Sequence, residues 1–149
     1  MKNFIVYWLP PFLWMGFLFP TNDTLTVSST SRIIVPIIRW FLPHASQETI
    51  ETLHVLVRKF THFFEYALLA FLLFRAFHGR NKSWQWQWVL YAGIIAIGYG
   101  ALDEFLQTLL PSRTGSFYDW MINSAGAVLS LSVLFLSNRK NINKVSTKV

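Results

Sequence analysis

The fold is decided by the run WVLYAGIIAIGYGALDEFLQTLL, which extends from Trp88 to Leu110. This run is mostly apolar and is close to the roughly 20 residues that a helix needs to cross the hydrocarbon core of a bilayer. Further apolar stretches occupy residues 4–19, 60–77 and 120–136. The sequence therefore predicts an all-α, polytopic membrane bundle with about four transmembrane helices.

The composition agrees with a membrane protein. Apolar residues make up 53% of the chain and charged residues only 13%, whereas soluble domains carry roughly 25% charged residues. The net charge is +6, but a nucleic-acid-binding protein would need a basic face on a soluble module, so we expect no nucleic-acid partner. The absence of cysteine excludes disulfides, thiol nucleophiles and cysteine-ligated metals.

The segment between the first two spans is also patterned. From Arg32 to Leu42, apolar residues recur at helical spacing, which predicts a short interfacial amphipathic helix that Pro43 ends. Ser46 is then a plausible N-cap for a helix over 47–77. Such a helix is about 46 Å long at 1.5 Å per residue, so its first turns should stand outside the membrane.

The distribution of basic residues predicts the orientation. With four spans both termini lie on one side, which holds the larger set of basic residues: Lys2, Arg75, Arg80, Lys82, Arg139, Lys140, Lys144 and Lys148. The smaller set lies on the other side: Arg32, Arg39, Arg58, Lys59 and Arg113. The positive-inside rule then makes both termini cytoplasmic. We expect residues 1–136 to form one transmembrane domain and residues 137–149 a disordered, basic cytoplasmic tail.

Polar residues gather at the predicted outer ends of three helices. Burying an ionisable group in a span costs roughly 2.5 to 3.5 kcal/mol, so a whole set of them is more than packing requires. Spacings of three, four and seven residues place them on one stripe of each helix. The set is Lys59, His62, Glu65, Tyr66, Asp103, Glu104, Gln107, Arg113, Asp119 and Asn123.

These residues also form an ordered set of short motifs. They are Lys59-x-x-His62 followed by Tyr66, then Asp103-Glu104-x-x-Gln107, a turn with Pro111 and Arg113, and Asp119-x-x-x-Asn123-x-x-Gly126. In this order they resemble the VanZ-like membrane protein family, over residues 1–136. The resemblance implies a cell-envelope protein associated with resistance to the glycopeptide antibiotic teicoplanin, and it implies no particular reaction or cofactor.

Our first hypothesis is that the protein binds or processes an anionic, lipid-linked molecule at the outer leaflet. Lys59 and Arg113 would hold a phosphate or carboxylate. Polar contacts to the ligand would come from Tyr66, Gln107 and Asn123. The candidates for acid–base catalysis are His62, Glu65, Asp103, Glu104 and Asp119.

Other hypotheses stay open at this point. His62 and the neighbouring carboxylates could ligate a metal, although the signal is weak because only one histidine is on the inward stripe, and we assign no metal. Alternatively, the charges form a structural ion-pair network, or the protein is a non-enzymatic membrane module that binds a partner or a glycopeptide. The sequence leaves open whether the protein is an enzyme and which oligomer it forms.

Overall fold

The computed structural model of the chain describes residues 2–19, 27–80, 85–109 and 115–146. In these segments the chain forms helices and no strands: α1 (Lys2–Leu18), α2 (Val27–Phe41), α3 (Gln47–His78), α4 (Trp86–Thr108) and α5 (Phe117–Ser146). By length and apolar composition, α3, α4 and the part of α5 from Phe117 to Asn138 are able to cross a membrane. The predicted all-α membrane bundle is confirmed for the described part of the chain.

Helix α1 is the shorter apolar helix of the bundle. Its apolar part, Phe4–Leu18, falls below the roughly 20 residues of a typical span. Two hydrogen bonds attach it to the other helices: Trp14 Nε1 donates to the Glu65 carbonyl oxygen at 3.0 Å, and Tyr99 Oη donates to the Met15 carbonyl oxygen at 2.6 Å. These contacts satisfy the indole N–H and the phenol O–H, which usually find a partner in apolar surroundings.

Helix α2 is the amphipathic helix predicted between the first two apolar stretches. It begins earlier than the pattern indicated, at Val27, and it ends at Phe41, just before Pro43. Arg39 Nη2 donates to Gln47 Oε1 at 3.1 Å and so ties the end of α2 to the start of α3.

Helix α3 begins and ends where its capping residues indicate. The Ser46 hydroxyl accepts a hydrogen bond from the Thr49 amide at 3.2 Å, as an N-cap does. At the other end, Gly79 adopts a φ of 54° and its amide donates to the Arg75 carbonyl oxygen. The N-cap prediction is confirmed.

The core lies between α3, α4 and α5. Small residues let the helices approach closely: a Cβ added at Gly126 of α5 would collide with the carbonyl oxygen of Phe63 in α3. The buried residues that pack together are Tyr66, Leu69, Ala70, Leu73, Phe74, Trp88, Ala92, Ala96, Ala127 and Leu131. This close contact sets the register of α5 against α3.

Helix α5 is longer than the sequence pattern indicated. We expected a disordered tail from Ser137, but the chain is helical through Ser146. The physical reason is that residues 137–146 contain neither proline nor glycine, so no residue there interrupts the backbone hydrogen bonds of the helix.

Candidate functional site

Two basic residues of α3 share one carboxylate of α5. Lys59 Nζ lies 2.9 Å from Asp119 Oδ1, and Arg58 Nη2 lies 3.4 Å from Asp119 Oδ2. The two basic side chains are each 36% exposed, whereas the Asp119 side chain is 12% exposed. One carboxylate thus neutralises only one of two neighbouring positive charges.

Asp103 is a buried carboxylate on α4. The buried Tyr66 hydroxyl donates to Asp103 Oδ2 at 3.0 Å, which links α3 to α4. The second carboxylate oxygen, Asp103 Oδ1, is buried and has no hydrogen-bond partner among the described residues.

Glu104 links the end of α4 to the start of α5. The Ser116 backbone amide donates to Glu104 Oε2 at 2.8 Å. Position 115, next to Ser116, accommodates only a glycine, because a Cβ at Gly115 would collide with the Glu104 carbonyl oxygen. The other carboxylate oxygen, Glu104 Oε1, is again buried without a partner in the described part of the chain.

Asn123 is fully buried, with 0% of its surface exposed. Its side chain lies close to Tyr66. A Cβ added at Gly100 would lie 3.6 Å from the Asn123 Cβ and 3.2 Å from the Tyr66 ring. Neither Oδ1 nor Nδ2 of Asn123 has a partner among the described residues. A buried amide left unbonded costs about 1 to 3 kcal/mol, so this asparagine requires an explanation beyond packing. We call Tyr66, Asp103, Glu104 and Asn123 together the polar layer.

The structure places His62 and Glu65 next to one another on α3. His62 Nδ1 lies 3.7 Å from Glu65 Oε2. Glu65 also borders a groove of about 480 Å³ that includes Trp14 and Phe60. It therefore lies towards α1, whereas Tyr66 and Asn123 lie in the core.

The other predicted site residues have separate outcomes. Gln107 is buried one turn after Asp103 on α4. Arg113 and the turn that contains Pro111 lie outside the described residues. Among the residues that the structure describes, no three His, Asp or Glu side chains are grouped so that they could hold a metal ion. The proposed ligand set of His62 with the carboxylates is therefore not assembled there.

Sequence reasoning did not identify two contributors to this region. Ser116 acts through its backbone amide, for which its side chain gives no signal. Trp120 donates from Nε1 to the Ile97 carbonyl oxygen at 3.2 Å and so joins α5 to α4. A tryptophan at the start of a span was a usable signal, because its indole N–H usually finds an acceptor when it is buried.

These observations define a helical membrane protein with a buried polar layer where three of its helices meet. The family model described as VanZ/LLP1 matches residues 4–138. The chain belongs to this family, and the resemblance that its motifs indicated is confirmed. The chain matched no curated protein and no solved structure.

Proposed function

We propose that this VanZ-type membrane protein binds an anionic, lipid-linked or cell-envelope molecule at the outer leaflet and thereby contributes to glycopeptide resistance. The observation that carries the proposal is the sharing of Asp119 by Lys59 and Arg58, directly beside the polar layer. At Asp119 two bases face one carboxylate, and the adjoining polar layer has buried atoms that can still form hydrogen bonds.

The charge balance at Asp119 supports an anionic ligand. The two bases bring one more positive charge than Asp119 neutralises, and both are partly exposed. Arg58 also keeps an unpartnered donor, Nε, among the described residues. A phosphate or carboxylate can accept from both side chains, because guanidinium and ammonium groups form strong, charge-assisted hydrogen bonds to such groups.

The depth of the cluster supports a ligand that is carried by a lipid. Lys59 immediately precedes the apolar stretch 60–77 of α3, and Asp119 lies in the first turn of α5. Both residues are therefore at the end of a span, where head groups lie. The outer-leaflet assignment is an inference from the larger number of basic residues at the opposite helix ends.

His62 and Glu65 supply the acid–base chemistry if the bound molecule is also converted. His62 is three residues from Lys59 on the same helix, so it lies one turn from the proposed anion site. Its neighbour Glu65 can orient the imidazole or share a proton with it.

A structural network is the second candidate, and one observation favours it. The Lys59–Asp119 and Tyr66–Asp103 contacts each join α3 to another helix. If their only role is to hold the bundle together, substitutions there lower the stability of the protein and its cellular level without any separate effect on ligand binding.

A binding experiment tests the proposal directly. Purified protein in phosphatidylcholine nanodiscs is titrated with phosphatidylglycerol as the anionic probe. We expect saturable binding that Lys59→Ala or Arg113→Ala weakens about tenfold, one ion-pair interaction being worth roughly that factor. Arg32→Ala is the matched control, because Arg32 is exposed on α2. Binding that is absent, or that is unchanged in Lys59→Ala, contradicts the proposal.

The resistance role needs a cellular readout. The wild type and Lys59→Ala are expressed in a teicoplanin-susceptible strain, and the level of each protein is measured. The proposal predicts that the wild type raises the inhibitory concentration of teicoplanin, whereas Lys59→Ala at an equal level does not. Equal protection by both proteins contradicts a role of this site in resistance.

A further inference from the structure

The polar layer contains acceptor atoms for which the described part of the chain supplies no donor. They are Asp103 Oδ1, Glu104 Oε1 and Asn123 Oδ1, and all three side chains are buried. Asn123 belongs to α5 and is uncharged, so this pattern is not only a pair of neighbouring acids on α4. Asn123 Nδ2 is an unpartnered donor in the same layer, so the unpartnered acceptors outnumber the unpartnered donor by three to one among these described residues. Because a buried acceptor without a donor costs free energy, this excess of acceptors is complementary to a group with several N–H donors.

The donors that the described residues supply to the two acids of the polar layer are neutral. Tyr66 gives Asp103 a hydrogen bond from a neutral phenol, and the Ser116 amide does the same for Glu104. The two bases closest in sequence to the cluster, Arg58 and Lys59, are bonded to Asp119 instead. Within the described residues, no lysine or arginine forms an ion pair with Asp103 or Glu104.

The cationic and anionic parts of the cluster are about one helical turn apart. Asp119 and Asn123 are four residues apart on α5, a rise of about 6 Å. Glu104 of the polar layer accepts from the backbone amide of Ser116, which is three residues before Asp119, so the two parts adjoin. A ligand that uses both parts therefore needs an anion and a cation joined by a short linker.

We propose that the ligand is a lipid head group that carries a phosphate and a primary ammonium, as in phosphatidylethanolamine. The phosphate lies at Lys59 and Arg58, and the ammonium lies in the polar layer. A primary ammonium has three N–H donors, as many as the unpartnered acceptors of the layer in the described part of the chain, and its positive charge offsets one of the two carboxylate charges. This inference rests on the proposed function, which supplies the phosphate-binding bases.

Three phospholipids separate the contributions of the head group. Phosphatidylethanolamine has the phosphate and the N–H donors, phosphatidylcholine has a phosphate and a quaternary ammonium without N–H donors, and phosphatidylglycerol has the phosphate alone. The wild-type protein in detergent is titrated with each lipid, and bound lipid is counted by native mass spectrometry. We expect phosphatidylethanolamine to bind at least tenfold tighter than either of the others.

Two substitutions assign the two ends of the head group. Asp103→Asn keeps an oxygen that accepts from Tyr66 but removes the charge, so it should abolish the preference for phosphatidylethanolamine while phosphatidylglycerol binding is retained. Lys59→Ala should weaken the binding of both lipids. Glu48→Gln is the control, since Glu48 is exposed in the first turn of α3, and thermal unfolding confirms that each variant is folded.

The outcomes separate this inference from the proposed function. Equal or tighter binding of phosphatidylglycerol, with dependence on Lys59, overturns the ammonium site and leaves the anion site standing. Equal binding of phosphatidylcholine and phosphatidylethanolamine likewise overturns it, because N–H donors would then contribute nothing. Failure of all three lipids to bind, or binding that ignores Lys59, overturns both proposals.

Discussion

Replacing Gly126 with alanine should separate α5 from α3 and destabilise the bundle. The added methyl group would overlap the Phe63 carbonyl oxygen, and two more backbone atoms of Phe63 lie 2.9 and 3.2 Å from the same point. No side-chain rotation relieves this contact, because every atom involved belongs to the backbone. The helices must instead move apart, and Asn123, which precedes Gly126 by one turn, moves with α5.

The size of the effect follows from two opposing contributions. Forcing an extra methyl group into a packed interface typically costs about 1 to 3 kcal/mol. Alanine recovers up to about 1 kcal/mol relative to glycine within a helix. Because the overlap is with backbone atoms, the cost lies at the upper end of its range, and we expect a net loss of about 2 kcal/mol in the free energy of unfolding. At Gly98 of α4 a Cβ would meet nothing within 4 Å, so Gly98→Ala should be neutral or stabilising.

Equilibrium unfolding in detergent, followed by circular dichroism, measures both variants against the wild type. We expect Gly126→Ala to lose stability and Gly98→Ala to lose none. If Gly126→Ala is as stable as the wild type, or if both variants lose the same free energy, then the close approach of α3 and α5 at Phe63 is not present in the folded protein.

Three further predictions concern individual polar contacts. Tyr66→Phe removes the donor to buried Asp103 and should lower the free energy of unfolding by about 1 to 3 kcal/mol. Tyr118→Phe, at an exposed position, should leave that free energy unchanged. Equal effects of the two substitutions in denaturant titrations would contradict this prediction. Asp119→Asn removes the carboxylate charge that pairs with the two bases, so it should tighten the binding of phosphatidylglycerol several-fold in the nanodisc titration. Weaker binding in a folded variant would show that Asp119 does not compete with the ligand. Ser46→Ala removes the N-cap of α3 and should lower the free energy of unfolding by about 1 kcal/mol. Hydrogen exchange should become faster only in the first turn of that helix, and unchanged exchange there would contradict the role of Ser46 as the cap.

The helices were largely predictable from local chemistry. Ser46 has the side chain and the position of an N-cap, and no residue from Gln47 onwards breaks α3 before Gly79. The end of α5 was not predictable in the same way. Polarity after Leu136 suggests a tail in water, but helix formation depends on the absence of breakers as well as on hydropathy, and the chain stays helical to Ser146.

The sequence predicted which polar residues lie near one another, but it did not predict which hydrogen bonds and ion pairs they form. Spacing along the helices placed Lys59 and Tyr66 on one stripe of α3 and Asn123 on a stripe of α5. In the structure Lys59 pairs with Asp119 of α5, and Tyr66 and Asn123 are both buried. The choice of partners depends on the rotation and separation of the helices, which Gly126 and Gly100 determine through contacts distant in sequence. Asn123 has no hydrogen-bond partner among the described residues because of how the helices pack. No sequence pattern around Asn123 indicates this.

Asn123→Leu tests most directly whether the unbonded groups of the polar layer serve a ligand rather than the stability of the bundle. Neither amide atom of Asn123 has a partner among the described residues, so an apolar side chain of similar size should raise the free energy of unfolding by about 1 kcal/mol or more. The account predicts that this variant is at least as stable as the wild type but binds phosphatidylethanolamine at least tenfold more weakly. A variant that is destabilised, or that binds the lipid as the wild type does, would contradict it.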